Sequence, residues 1–163
     1  MIVFVASDHA GFELKQKLLP FLTSLGHEVV DEGPYEYKAD DDYPDFVVSV
    51  AREVSERPDE ARGVVIGASG QGEAIAANRF SNVRAAVYYG PVSRTQTDAK
   101  GRKFDIVTST RQHNNTNILS LGARFMTDEE ARTAVKSWLE TSFSNDEAHV
   151  RRLKKIDGLP NNL

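Results

Sequence analysis

The stretch GASGQGEAIAANR, Gly67 to Arg79, sets three glycines and two small residues ahead of a helix-forming run, with a single carboxylate, Glu73, at the join. A glycine loop that opens a helix turns backbone N–H groups outward, and such groups stabilise a phosphate or a developing oxyanion. An acid beside them can take a proton from the carbon next to a carbonyl. An acid in a first helical turn also complements the helix dipole. Glu73 by itself is compatible with both readings.

Two further clusters carry chemistry. SDHAG, Ser7 to Gly11, puts Asp8 and His9 between an apolar run and a helical one. Asp8 suits an N-cap, and an adjacent acid and imidazole also suit sugar hydroxyls. STRQHNNTN, Ser109 to Asn117, places His113 and Asn114 just ahead of the apolar NILSLGA, and Arg124 directly after it. A guanidinium at the end of a strand binds phosphate bidentately. His149, Arg151, Arg152, Lys154 and Lys155 add positive charge near the C-terminus, where a solvated helix face is the plainer reading.

Several motifs are excluded. Ile75 stands where a dinucleotide fingerprint needs its third glycine, and the lysine and hydroxyl of a Walker loop are missing. Gln71 stands where a nucleophile elbow needs glycine, so Ser69 does not fit that mould. The histidines His9, His27, His113 and His149 show no metal-ligand spacing, and without cysteine no thiolate chemistry is available.

These residues need elements to hold them. IVFVAS, HEVVD, GVVIG, VRAAVYY and NILSLGA read as five strands. Helices are predicted from Gly11 to Gly26, with Pro20 kinking or breaking it, from Pro44, from the glycine loop, and over TDEEARTAVKSWLETSF with a capping box from Thr127 to Glu130. NDEAHVRRLKKI forms a last helix projecting from the body. GPVSRTQTDAKGRKFDIVTST, 90–110, reads as a long polar surface excursion. Strands alternating with helices predict an α/β fold around a parallel sheet, with ligands beyond the carboxyl ends of the strands. Asp8, His9 and the glycine loop fall there.

The 163 residues suffice for one domain, expected over 1–156 with a C-terminal helical arm and a flexible tail over 157–163. A net charge of −4 argues against a nucleic-acid partner met through a broad basic face, and it obliges any anionic ligand to find local cations. The N-terminus has no basic region of a signal peptide and no apolar run reaches the ~20 residues that span a bilayer, so no membrane partner and a cytoplasmic location are expected.

SDHAG, YPDF, GASGQGEAIAANR, VRAAV, RQHNNTNILSLGAR and HVRR, in that order, resemble segments of the type B ribose-5-phosphate isomerase family, which includes galactose-6-phosphate isomerase subunits. The resemblance runs from about Ile2 to Ile156. It implies a Rossmann-like three-layer α/β sandwich with a five-stranded, mainly parallel sheet. It also implies a homodimer, with further pairing to a tetramer left open, active sites at the interface, and no metal or cofactor. The activity implied is aldose–ketose isomerisation of a phosphorylated sugar, ribose 5-phosphate to ribulose 5-phosphate first, as in the pentose phosphate pathway. Glu73 would be the base, passing a proton through a cis-enediolate, with His113 assisting ring opening and Ser69 in the catalytic set. Asp8, His9, Tyr43, Asn78 and Asn114 would bind the sugar, with Gly67, Gly70, Gln71 and Gly72 forming the anion hole. Arg124, His149 and Arg152 would hold the phosphate, in part from a partner subunit.

Three departures qualify this. Many members carry a cysteine base at a position that is here Ile66 or Gly67; GASGQGE matches the subgroup that uses glutamate instead. Ala148 replaces a frequent arginine before the tail histidine, and the 90–110 segment is long. Another phosphosugar (a tetrose, allose or galactose phosphate) therefore stays open as substrate, as does a non-catalytic sugar-phosphate-binding protein.

Overall fold

A computed structural model describes residues 1–92, 96, 97, 101 and 103–159. The chain runs β1 (Ile2–Ser7), α1 (Phe12–Ser24), β2 (Glu28–Asp31), α2 (Pro44–Glu56), β3 (Ala61–Gly67), α3 (Gln71–Ala77) and β4 (Ala85–Tyr88). A two-stranded antiparallel ribbon follows, β5 (Gln96–Thr97) with β6 (Lys103–Phe104), then α4 (Ile106–Asn114), β7 (Ile118–Gly122), α5 (Asp128–Glu140) and α6 (Glu147–Asp157).

The main sheet has five strands in the order β2-β1-β3-β7-β4, and each of its pairings is parallel. This is the expected α/β architecture. Its central strands are apolar on both faces because both are covered. On β1, Val3 and Val5 point to one side, where Leu14, Leu18 and Leu22 of α1 and Ala131, Val135 and Trp138 of α5 pack. Phe4 and Ala6 point to the other, against Val47, Val50, Ala51 and Val54 of α2 and Ala77 of α3. Alternation with period two separates the sets. Trp138 is wholly buried and donates its indole N–H to the Thr116 hydroxyl (2.9 Å).

From β1 the chain steps outward to β2 by way of α1. It then returns across β1 to β3 by way of α2 on the opposite face. The direction of winding thus reverses between β1 and β3, and a crevice opens there beyond the strand ends. Ser7 and Gly67 end those strands.

Of the two outcomes expected at Pro20, a kink or a break, the break does not occur: α1 is continuous from Phe12 to Ser24. Pro20 and Gln16 both face solvent, so the carbonyl left unpaired by the missing N–H meets water, while the buried leucine stripe holds the helix to the sheet. The 90–110 segment, expected as a long polar surface excursion, contains the β5–β6 ribbon and the start of α4, whose Asp105 cap accepts from the N–H groups of Val107 (2.9 Å) and Thr108 (3.0 Å). Residues 93–95, 98–100 and 102 of that segment lie outside the described residues. Near the C-terminus α6 includes Asp157, the first residue of the expected tail, and residues 160–163 lie outside the described ones. The Thr127–Glu130 capping box is present as expected.

Candidate active site

The glycine loop sits at the crevice. Gly70 adopts φ +72°, the left-handed region that glycine enters without strain, and its carbonyl accepts from the Ser120 hydroxyl (2.6 Å) on neighbouring β7. The Arg124 N–H, in a short 3₁₀ turn (Ala123–Phe125) after β7, donates to the Ala68 carbonyl (3.2 Å). The loop is therefore strapped to the sheet on two sides. Among the described residues, the N–H groups of Ser69, Gly70 and Gly72 have no backbone or side-chain acceptor. A loop held still with amides unused is the preorganised donor set that an oxyanion requires.

Glu73 is only 4 % exposed. Its carboxylate does not turn to solvent as a dipole-complementing first-turn acid would; it folds back over Gly67. A Cβ on Gly67 would lie 1.6 Å from its Oε1 and 2.2 Å from its Cδ. Glycine at 67 is the space in which the Glu73 carboxylate lies. Of the two positions at which a cysteine base was to be sought, Gly67 is thus the one whose side chain would meet this carboxylate, while Ile66 is buried in the core. Burial pushes the Glu73 carboxyl above the ordinary carboxylate range; its own backbone N–H pulls the other way, and the negative Asp8 nearby adds to the rise. Water exclusion therefore outweighs that one amide. A raised carboxyl suits a base that must also give its proton back.

Asp8 is buried, and its Oδ1 accepts from the N–H groups of Ala10 (2.9 Å) and Gly11 (3.0 Å), closing the turn ahead of α1. It serves the turn and faces the site together. His9 stands beside it at the rim. The Tyr43 ring covers Gly72, where a Cβ would approach its Cζ to 2.6 Å. Tyr43 comes from the residue before α2, so the crevice is walled from a third segment.

A second group forms elsewhere on the same chain. His113, on the last turn of α4, stacks against His149 of α6 (ring centroids 4.5 Å apart, 34° tilt) and edge-on to Phe104 (5.3 Å). The Ser144 hydroxyl lies 2.8 Å from His149 Nδ1. Gln112, His113, Ser142, Ser144, Asp146 and His149 line a polar cleft of about 230 Å³, and none of the first group lines it. Asn114 is exposed at the end of α4, and Arg124 and Arg152 are exposed on the 3₁₀ turn and on α6. The residues expected to act together thus fall into two groups on one chain.

Asn78 has another occupation. Its carboxamide accepts from the Ala85 N–H (2.7 Å) and donates to the Ala85 carbonyl (3.0 Å), a two-point strap from the end of α3 to β4. Through both of its polar atoms it holds the helix that carries Glu73 to β4.

Asp41 is a site residue that sequence reasoning missed. Its Oδ1 accepts from the His9 backbone N–H (2.9 Å) and lies 2.8 Å from His9 Nδ1. That hydrogen bond, chiefly, raises the His9 pKa above the ordinary imidazole value, with the charge of Asp8 assisting against desolvation. ADDDYP signals a run of acids, but nothing in it shows which acid reaches a histidine 32 residues away.

Among known proteins, a sequence profile described as Ribose/Galactose Isomerase matches residues 3–156. The chain is 37 % identical to ribose-5-phosphate isomerase B of Mycolicibacterium paratuberculosis, across 94 % of this chain and 87 % of that one. It is 38 % identical to the probable ribose-5-phosphate isomerase B of Mycoplasma genitalium, across 94 % and 92 %. The crystal structure of ribose-5-phosphate isomerase B from Mycoplasma genitalium with bound ribulose-5-phosphate superposes with a TM-score of 0.84 at 36 % identity, covering 96 % of this chain and 93 % of that one. The ribose 5-phosphate isomerase from Thermotoga maritima gives 0.81 at 35 %, covering 97 % and 98 %.

Proposed function

The chain belongs to the ribose/galactose isomerase family, and from that premise we propose that it interconverts ribose 5-phosphate and ribulose 5-phosphate with Glu73 as the base. The observation that carries this reading is the Glu73 carboxylate lying over Gly67, shielded from water, beside a loop of unused amides. In the open-chain aldose the carboxylate takes the proton from C2. The C–H electrons become the C1–C2 double bond, and the carbonyl electrons settle on O1 as an enediolate that the loop amides stabilise. The hydroxyl proton passes from O2 to O1, with Ser69 the nearest loop hydroxyl for the exchange. Glu73 then returns its proton to C1, and the carbonyl reforms at C2. The carboxylate ends as it began.

His113 with Asn114 assists ring opening and holds a hydroxyl, while Arg124, His149 and Arg152 hold the phosphate, whose binding energy is used remote from the reacting carbons. The division of these residues into two groups supports a homodimer, in which the α4–α6 group of one copy completes the crevice of the other. Ile75 of α3 and Phe125 beside Arg124, exposed by 67 % and 60 %, give such a contact apolar area next to the site.

The test is a comparison of kcat/KM on ribose 5-phosphate, allose 6-phosphate and galactose 6-phosphate, since the distance from phosphate to carbonyl is what the site measures. Ribose 5-phosphate should lead. Turnover of none of the three would overturn the reading, and a lead for a hexose phosphate would move the substrate.

A further inference from the structure

We propose that Asp41 is a positioning residue for His9: a single carboxylate oxygen grips both the backbone and the ring of that histidine and leaves Nε2 as the ring atom presented to the bound sugar phosphate. The inference rests on the isomerase reading for its ligand, but its geometry stands without it.

Oδ1 of Asp41 meets two atoms of His9, the backbone N–H at 2.9 Å and Nδ1 at 2.8 Å. A carboxylate only accepts, so Nδ1 must carry hydrogen, and the ring's outward atom is Nε2. Bonding to backbone and ring at once fixes where the imidazole stands and which way it faces. The Asp41 side chain is only 6 % exposed, whereas that of His9 is 32 % exposed. The acid is thus the buried support, and the imidazole is the more exposed end of the pair.

The other oxygen, Oδ2, is buried without a hydrogen-bond partner. Leaving a carboxylate oxygen dry and unpaired is unfavourable, and such groups in native proteins call for an explanation. Asp41 lies in the segment between β2 and α2, outside any strand ladder, so secondary structure gives it no reason to be buried. Its contact with His9 does. The charged groups that face the ring are Asp41 and Asp8, both acidic, and both favour the imidazolium. With both nitrogens protonated, His9 is a rim cation that donates from Nε2, useful for a dianionic ligand approaching a chain of net charge −4. Its contribution falls on binding, while proton transfer at C2 stays with Glu73.

The test joins NMR of ¹⁵N-histidine-labelled protein to steady-state kinetics. In the wild type, His9 should hold the Nδ1–H tautomer when neutral and titrate above an ordinary imidazole. In Asp41→Asn its midpoint should move toward acid. Above that midpoint the variant's KM for ribose 5-phosphate should rise about tenfold with kcat within about threefold, as expected for a lost charge-assisted hydrogen bond. In a His9→Gln background, Asp41→Asn should leave KM unchanged. An Nε2–H tautomer in the wild type, an unmoved midpoint, or equal losses in both backgrounds would each overturn the proposal. Should the variant not fold, the wild-type tautomer and midpoint decide alone. Should the wild type turn over no sugar phosphate, the functional reading falls while the NMR result still judges the pair.

Discussion

Gly67→Ala is the perturbation whose consequence the geometry specifies most closely. The added Cβ would stand 1.6 Å from Glu73 Oε1, 2.2 Å from Cδ and 2.8 Å from Oε2. Ordinary carbon contacts are about 3.5–4 Å, so the carboxylate must retreat by about 2 Å. Gly67 does not adopt a positive φ, and it pairs in register with Gly122 of β7, so alanine suits the backbone and the strain falls on the end of one flexible side chain. A misplacement of about 1 Å near the chemistry can lower the rate ~10²-fold. Removing a general base lowers it about 10²–10⁴-fold. Gly67→Ala should therefore lose at least about 10²-fold in kcat, approaching Glu73→Gln, although no catalytic side chain has been changed. Steady-state turnover of ribose 5-phosphate with a melting curve on the same preparation measures it. A folded variant whose kcat lies within about threefold of wild type would refute the claim that the carboxylate works from the space over Gly67.

Glu73 also sets two pH dependences. Because burial raises its folded pKa above the ordinary carboxylate range, the folded protein holds a proton through a window in which the unfolded chain has lost it, and stability falls as pH rises through that window. Glu73→Gln should thus melt higher than wild type near neutral pH, and the advantage should shrink as pH falls toward the ordinary carboxylate value; no such convergence would contradict the burial argument. The same group must be ionised to act, so kcat/KM of the wild type should fall on an acid limb lying above an ordinary glutamate's, as a pH–rate profile will show. Asn78→Ala should lower stability by about 1–2 kcal/mol in denaturant unfolding while leaving KM within about twofold, because its carboxamide straps Ala85. A rise in KM without loss of stability would return Asn78 to the sugar.

Most of the scaffold was legible because its signals are local. β1, β3 and β7 carry short, mostly apolar and buried runs (Ile2 to Ala6, Gly63 to Gly67, Ile118 to Gly122), and the α5 capping box is written in Thr127 and Glu130. Helix α4 was not. IVTSTRQHN is rich in β-branched and hydroxyl residues, poor helix formers, and what holds it is tertiary: Val107 in the core, the Asp105 cap, and a buried Arg111 bonding the Asn115 side chain and the Thr116 and Thr141 carbonyls. At the site, Glu73 could be picked out by its place after the glycines, but its burial depends on the empty side of Gly67. Asp41 and Asn78 took their functions from partners distant or unmarked in the chain, Asp41 across 32 residues and Asn78 through the backbone of Ala85. Pattern finds elements and loops; which of several acids or amides is engaged is decided by packing.

The cleavage of the C2–hydrogen bond tests the central claim most directly. Ribose 5-phosphate deuterated at C2 is supplied to wild type and to Glu73→Gln, and NMR follows the loss of deuterium from C2, whether it goes to C1 of the product or to solvent. Binding of a pentitol phosphate that cannot isomerise is measured alongside. The account predicts that the variant binds the pentitol phosphate as the wild type does and breaks the C2–deuterium bond slower by about 10²–10⁴-fold. Equal rates of cleavage in the two proteins would contradict it.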